Sequence, residues 1–453
     1  MAENLDFIRK LPDSLLLEII SLLSYKEATR TSILSKRWRH ILPTSATIVL
    51  NERNGTIPTH FFAEFKRTRL TKTNQESHID MLSLTLTKPQ DFVNDITNCI
   101  AFSKEGNAKV ILLDFSSPTW GENDVVDDYV GFEAKFDLPF CVYGLKSLET
   151  LKLFSCNFDA SMLKSFVSLK HLSLGWIELS ASSVKDLVEN CVSLESLSMK
   201  RCWNIGFIEI KGQGLRLESL NIDKCNIVRG WINIEAPNIR LFKYSGEFCT
   251  FEFNSTQRIE EVVLDFGIQS ELGEVGPLLF ETFREFYAAK ILTVCSFVLQ
   301  AIVSREEPLG LKPRLAVKHL ILKTALHENE LYGVRFFLNS CPLLETLTID
   351  INPAKRIFEE YEPPFSEPWT KALPLYKCLV KSLKVVEVKG FKGSQNQVSL
   401  LIYFITYGRV LKKLDINVSK EVVLGESPEI YIQKAQILQT LNKASPSLQI
   451  SIF

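Results

Sequence analysis

The sequence predicts an α/β chain. A unit of three short N-terminal helices leads into a solenoid, a curved parallel sheet with helices and loops on its convex side, and the chain closes on a C-terminal cap. Three observations lead there. Apolar residues near the N-terminus recur at helical spacing but make too small a core to stand alone. One short apolar pattern then recurs along most of the chain at a nearly constant step. The last part carries the same strand pattern around one long helix. The 453 residues, 46% apolar and 23% charged, are enough for a large folded body, and a repeat array can run to this length as one body.

The first helix is expected to open at Pro12, which suits a first helical position, with Asp13 favouring the positive end of the helix dipole. Leu15, Leu16, Ile19, Ile20, Leu22 and Leu23 then follow at helical spacing. Ser24 and Glu27 have the form of a capping box for a second helix carrying Ala28, Ile33 and Leu34. Ser35 suits the cap of a third, holding Trp38 and Ile41 and stopped by Pro43. A unit of about 40 residues usually needs a disulfide, a metal or a partner. No cysteine precedes Cys99, so something else should cover these helices: the rest of this chain, or another protein.

Leu11-Pro12, Leu15-Leu16, Ile19-Ile20, Lys26-Glu27-Ala28 and Ser32-Ile33-Leu34-Ser35-Lys36-Arg37-Trp38-Arg39 together resemble an F-box of the plant type, over roughly residues 5 to 45. The resemblance implies a Skp-family adaptor as the covering partner, and through it a cullin and a RING protein with a ubiquitin-charged enzyme. Carried over position by position, Leu11, Pro12, Leu15, Leu16, Ile19, Ile20, Leu34 and Trp38 would pack within the unit or against the adaptor. Leu11, Pro12, Ile20 and Trp38 are the expected direct contacts.

The recurring pattern is apolar, two residues, apolar, one residue, apolar. It occurs at Leu148/Leu151/Leu153, Leu169/Leu172/Leu174, Leu194/Leu197/Met199, Leu217/Leu220/Ile222, Ile239/Phe242/Tyr244 and Ile259/Val262/Leu264. Steps of roughly 20 to 25 residues separate these copies, the signature of leucine-rich repeats. Further copies are Val317/Leu320/Leu322, Leu344/Leu347/Ile349, Leu383/Val386/Val388 and Leu411/Leu414/Ile416, with weaker ones at Ile79/Leu82/Leu84 and Val110/Leu113/Phe115. The last two positions alternate along a strand and point inward. No single turn buries its apolar side, so neighbours must stack. Steps this long are too long for the hairpins of a β-sandwich. A returning helix is clearest in the segment 180–191, where Val184, Leu187, Val188 and Cys191 recur at helical spacing.

Two segments interrupt the repeats: an acidic insertion at 121–139 and a proline-rich loop at 353–375. Glu122, Asp124, Asp127 and Asp128 lack the pattern of a calcium loop, so a solvated loop is expected. Cys156, Cys202 and Cys225 fall three residues after a strand's last apolar position, where the repeat takes a small buried residue. Cys191 and Cys341 close returning helices. No C-x-x-C pair offers zinc ligands.

The C-terminal section reads as more solenoid: two strands around a helix at about 395 to 410, with Val398, Leu401, Ile402 and Ile405 on one face. Ser382-Leu383-Lys384, Val388-Lys389-Gly390-Phe391-Lys392-Gly393, Val410-Leu411-Lys412-Lys413-Leu414 and Ala444-Ser445-Pro446-Ser447 resemble an FBD domain, which follows an F-box and leucine-rich repeats in plant proteins. The sequence departs from that pattern at 394–397, where acidic residues are usual, and at Tyr407-Gly408. The implied organisation is an F-box at 1–46, leucine-rich repeats at 47–370 and an FBD-type cap at 371–453.

A net charge of −1 gives no general field for nucleic acid or anionic lipid. No apolar run reaches the roughly 20 residues of a membrane span. The start MAENLDFIRK lacks a signal-peptide core, so ten cysteines are expected as reduced thiols in the cytoplasm or nucleus. The glycosylation-like triplets at Asn54, Asn254 and Asn417 are then chance matches. There is no phosphate loop, H-E-x-x-H or Gly-x-Ser-x-Gly motif, no cofactor or metal is expected, and His171 and His319 lie inside strand motifs. The resemblance therefore implies a non-catalytic receptor subunit of an SCF-type ubiquitin ligase. A scaffold that uses the F-box without delivering a target is the alternative. An unknown target protein is expected on residues between the inward strand positions: Lys152, His171, Ser173, Ser198 and Asn221.

Overall fold

The computed structural model describes residues 11–12, 15–16, 19, 37, 47–70, 78–120, 136–212, 214–228, 230–254, 259–267, 275–302, 314–353, 375–422 and 427–453. They fall into two compact units, Met1–Leu217 with Cys225–Val228, and Glu218–Lys224 with Arg229–Phe453. The acidic insertion, except its last residues, lies outside the described residues, as does the proline-rich loop apart from its ends.

In the first unit six strands lie side by side, all parallel: β1 (Thr47–Asn51), β2 (Met81–Thr85), β3 (Val110–Asp114), β4 (Thr150–Phe154), β5 (His171–Gly175) and β6 (Ser196–Lys200). Parallel neighbours need a crossover, which rules out the sandwich of hairpins. The crossovers include α1 (Pro58–Phe65), α2 (Val93–Glu105) and α3 (Ala181–Asn190), with 3-10 turns at Phe140–Gly144 and Ala160–Ser165. Helix α3 forms as its spacing predicts. Ser180 caps it by accepting from the Ser183 N–H, Val184, Leu187 and Val188 are buried, and Cys191 ends it. Each strand buries its second and fourth residues, so Leu151/Leu153, Leu172/Leu174 and Leu197/Met199 build the core as expected. Each such leucine contributes about 1.5–3 kcal/mol by leaving water.

The frame at Val110/Leu113/Phe115 is corrected by two residues. Leu82 and Leu84 face Ile111 and Leu113, so the true triplet is Ala108/Ile111/Leu113. Four apolar residues in a row in β3 hide the alternation, and Ala108 is too small to register as its anchor. β1 escaped the pattern search altogether, although Ile48 and Leu50 are buried.

In the second unit nine parallel strands follow in chain order: β7 (Ser219–Asp223), β8 (Leu241–Gly246), β9 (Glu261–Phe266), β10 (Ile291–Val294), β11 (His319–Thr324), β12 (Thr346–Ile351), β13 (Val385–Phe391), β14 (Lys413–Val418) and β15 (Gln449–Ile452). The returns include α4 (Val275–Glu285), α5 (Ser296–Ala301), α6 (Glu328–Ser340), α7 (Lys377–Lys381), α8 (Gln395–Tyr407) and α9 (Pro428–Gln439). An aromatic stack fills the inner side near β8, where Phe242 packs against Phe251, Phe253 and Phe286 at ring distances of 5.4, 5.2 and 5.8 Å.

The C-terminal section holds three strands rather than two, because β15 completes it after α9. Helix α8 ends at Tyr407, not near 410. Its buried side is Gln397, Leu400, Leu401, Tyr403, Phe404 and Ile405, while Ile402 is exposed. Two overlapping apolar faces exist in this helix. The choice between them is made at its start, where Gln397 is pulled inward to accept the backbone N–H groups of Lys392 and Gly393, each at 2.9 Å.

Candidate functional site

Two places matter for binding: the N-terminal segment and the face of each sheet opposite its core. In the N-terminal segment the Pro12 carbonyl accepts the N–H groups of Leu15 and Leu16 at 3.1 and 3.2 Å, so a helix starts there as expected. Leu16 is 1% exposed and belongs to internal packing. Leu15 and Ile19, four residues apart on one helix side, are 43% and 38% exposed. Pro12 is exposed and Leu11 half-buried. Arg37 donates to the Leu11 carbonyl, which ties the two ends of the segment together. Ile20, Leu34 and Trp38 lie outside the described residues.

On the open face of the first unit, Lys152, Ser173 and Ser198 stand in register on β4, β5 and β6, one continuous row of half-buried side chains. His171 stands beside that row, exposed, between Thr150 and Ser196. Asn221 belongs to the second unit and neighbours Lys243 there.

That second row continues in register through Val263, Thr293, Ile321, Thr348, Glu387, Asp415 and Ser451. The sequence carries the signal, since each lies between the two inward positions of its repeat, but no triplet with a large apolar first residue marks β10 or β15. The centre of the row is uncharged and tightly packed: Thr293 and Thr348 are only 5% and 4% exposed. His319 Nε2 lies 3.0 Å from Thr348 Oγ1, which in turn donates to Glu387 at 3.4 Å. Partial burial holds the His319 imidazole below its usual range. Lys389 adds to that effect, while Glu387 and Glu261 oppose it.

At the heads of the strands from β2 to β14 the residue before the first position is charged. In the first unit Glu149 pairs with Lys170 at 3.1 Å. In the second, Glu260 is shared by Arg240 (2.9 Å) and Lys290 (3.5 Å), and Glu345 by Lys318 (3.3 Å) and Lys384 (3.1 Å). These cations hold both carboxyl groups below the usual range.

Two family profiles match. The F-box domain covers residues 8–45, and the family described as At1g61320/AtMIF1, LRR domain, covers 131–444. Among curated relatives from Arabidopsis thaliana, F-box protein At3g62230 is 34% identical and aligns over 91% of both chains. F-box/FBD/LRR-repeat protein At5g44980 is 25% identical over 98% of both. FBD-associated F-box protein At1g61320 is 24% identical over 66% of this chain and 67% of its own. The chain belongs to the plant F-box/leucine-rich-repeat family.

In an F-box/leucine-rich-repeat protein the F-box implies binding of a Skp-type adaptor, and the repeats imply binding of a target in general. The cysteines of this family member serve its repeats. Cys156 Sγ lies 3.5 Å from the Phe154 carbonyl and 4.0 Å from that of Leu113 in the preceding repeat, and Cys202 repeats the arrangement with Lys200 and Leu174 at 3.7 Å each. Burial pushes Cys191 up to about 11 and Cys378 up to about 12. Among the described residues no cluster of His, Cys, Asp or Glu is arranged to hold a metal, and no helix is long and apolar enough to cross a membrane.

Proposed function

We propose that this F-box/leucine-rich-repeat protein is the substrate-receptor subunit of an SCF-type ubiquitin ligase and has no catalytic role of its own. The observation that carries the reading is the F-box match at 8–45 standing ahead of the repeats, with Leu15 and Ile19 left on the surface of a helix whose Leu16 is already buried. The adaptor would cover that surface and link the chain to a cullin and a RING protein. The repeats would hold a target protein and raise the effective concentration of its lysines near the charged enzyme. Lys152, His171, Ser173, Ser198 and Asn221 remain proposed target contacts, as does the division into F-box (1–46), repeats (47–370) and FBD-type cap (371–453). A nuclear or cytoplasmic location goes with this role, and ten unpaired cysteines suit it.

The test is co-expression with a Skp-family adaptor followed by size-exclusion chromatography. The wild type should co-elute. Leu15→Glu/Ile19→Glu and Leu11→Arg/Pro12→Ala should elute alone with an unchanged circular dichroism spectrum. A folded wild type that never co-elutes would sink the receptor reading in favour of a plain repeat scaffold.

A further inference from the structure

The two rows differ in kind. The row of the first unit carries Lys152, Ser173 and Ser198. The row of the second carries, on four adjacent strands, Val263, Thr293, Ile321 and Thr348, with Ile291 beside Thr293 on β10. Four strands at about 4.8 Å spacing make a patch about 15 Å across. Its border is charged on three sides, with Lys243 paired to Glu261 beside Ile291, Glu387 and Asp415 opposite, and the Lys323–Asp265 pair (2.9 Å) at the far ends of β9 and β11. An uncharged centre inside a charged border is the layout of a binding hot spot.

A second, independent feature lies at its edge. Along the strand heads of this unit the charges run Glu218, Arg240, Glu260, Lys290, Lys318, Glu345, Lys384, Lys412. Alternation fails at Lys290–Lys318 and again at Lys384–Lys412; the first of these pairs lies at the patch, its backbones hydrogen-bonded (Lys318 N–H to the Lys290 carbonyl, 2.8 Å). Both side chains are more than half exposed. Each pairs with a carboxylate that another cation also shares. Lys290 directly precedes Ile291 and Lys318 directly precedes His319, so the adjacent lysines sit at the head of the two strands in the middle of the patch.

We infer that this face of the second unit is the target-reading site and that it reads an acidic-aliphatic peptide: an aliphatic side chain seated on Val263, Ile291 and Ile321, with an adjacent aspartate or glutamate carboxylate on Lys290 and Lys318. The inference rests on the receptor reading for its biological meaning and not for its binding chemistry. Electrostatics at such a border sets selectivity and encounter rate, and the apolar centre supplies most of the affinity.

The test is selection of a random twelve-residue peptide display library on the full-length chain, followed by fluorescence-anisotropy titration of synthetic peptides. Enriched peptides should pair Asp or Glu with Leu, Ile or Val within two or three positions. Replacing the acidic residue by its amide should weaken binding about tenfold. Lys290→Glu/Lys318→Glu should remove the acidic preference or exchange it for Lys and Arg. Ile321→Asp should abolish binding, and Lys185→Glu, an exposed position on α3 of the first unit, should leave it unchanged. Enrichment of basic, phospho-dependent or featureless peptides overturns the inference, as do no enrichment, indifference to the double charge reversal, or sensitivity to Lys185→Glu. Adaptor co-elution is scored separately, so failure of the receptor reading and failure of the peptide reading are told apart.

Discussion

Ser155 follows β4 with φ 56, and Trp176, Arg201 and Lys224 follow β5, β6 and β7 with φ 53, 50 and 50. A left-handed residue after these strands turns the chain so that the next side chain, Cys156, Ile177, Cys202 or Cys225, drops into the core. For a residue with a Cβ this conformation costs about 1–2 kcal/mol. Ser155 is fully buried and its hydroxyl has no partner in the structure. Glycine's added chain entropy, about 0.5–1 kcal/mol, opposes this relief of strain and of the stranded hydroxyl, so Ser155→Gly is expected to raise stability by about 1 kcal/mol, read as a higher urea midpoint at unchanged slope. A lower midpoint would refute it. Gly333 shows the opposite need. A Cβ there would lie 2.3 Å from the Leu299 carbonyl oxygen, because α5 and α6 pass in backbone contact. Gly333→Ala should cost about 2 kcal/mol or more. The thiols give a third expectation. Nine of the ten are buried and Cys141 is half-buried, so a thiol reagent at neutral pH should modify Cys141 alone in minutes and all ten after denaturation. Fast reaction of two or more in the native protein would contradict the burial.

At the scale of elements, two helix starts show how one local device recurs with different chemistry. Before α6, the buried Glu330 carboxylate accepts from the N–H groups of His327 (2.6 Å) and Ala325 (3.3 Å). Before α8, Gln397 does the same for Lys392 and Gly393, and the Asn396 amide reaches back to the Leu326 carbonyl at 2.9 Å. At 394–397 the chain thus places a capping acceptor that carries no charge. Glu330→Ala should cost about 1–3 kcal/mol by stranding buried N–H groups, with Glu330→Gln well tolerated. Equal loss in both variants would refute the capping role. The β11–β12–β13 triplet of His319, Thr348 and Glu387 predicts a pH response. The folded imidazole pKa is depressed, so its contribution is complete above the unfolded value near 6.5 and is lost as pH falls through the folded value. Histidine-dependent weakening below pH 6.5 should vanish in His319→Gln.

Across the molecule as a whole, the strand heads carry a charge ladder that no single repeat displays. Glu345 holds Lys318 and Lys384. Glu345→Lys would set Lys290, Lys318, position 345 and Lys384 in succession at like charge. The melting temperature should fall, and the fall should shrink with added salt, because exposed charges are screened. A fall independent of salt would place its cause in packing instead. The same lysines, doubled at Lys290 and Lys318, mark the face proposed to read a target.

The sequence by itself determined the class of the fold, the family and the inward residues of most strands, since the apolar triplet is strictly local: one strand spans it, and burial of its alternate residues follows from the pleat. It also placed Ser173 and Ser198 in one row with Lys152. Tertiary structure decided the rest. β10 has only four residues, and its neighbours on each side establish it as a strand. The frame of β3 was set by pairing to β2, because Val110, Ile111, Leu112 and Leu113 look alike to any periodicity. The inner side of α8 was chosen by Gln397 meeting backbone that the preceding strand delivers. The patch on the second unit was invisible for the same reason. Val263, Ile291 and Ile321 are far apart along the chain, and only parallel registration, repeated strand after strand, brings them together beside Lys290 and Lys318.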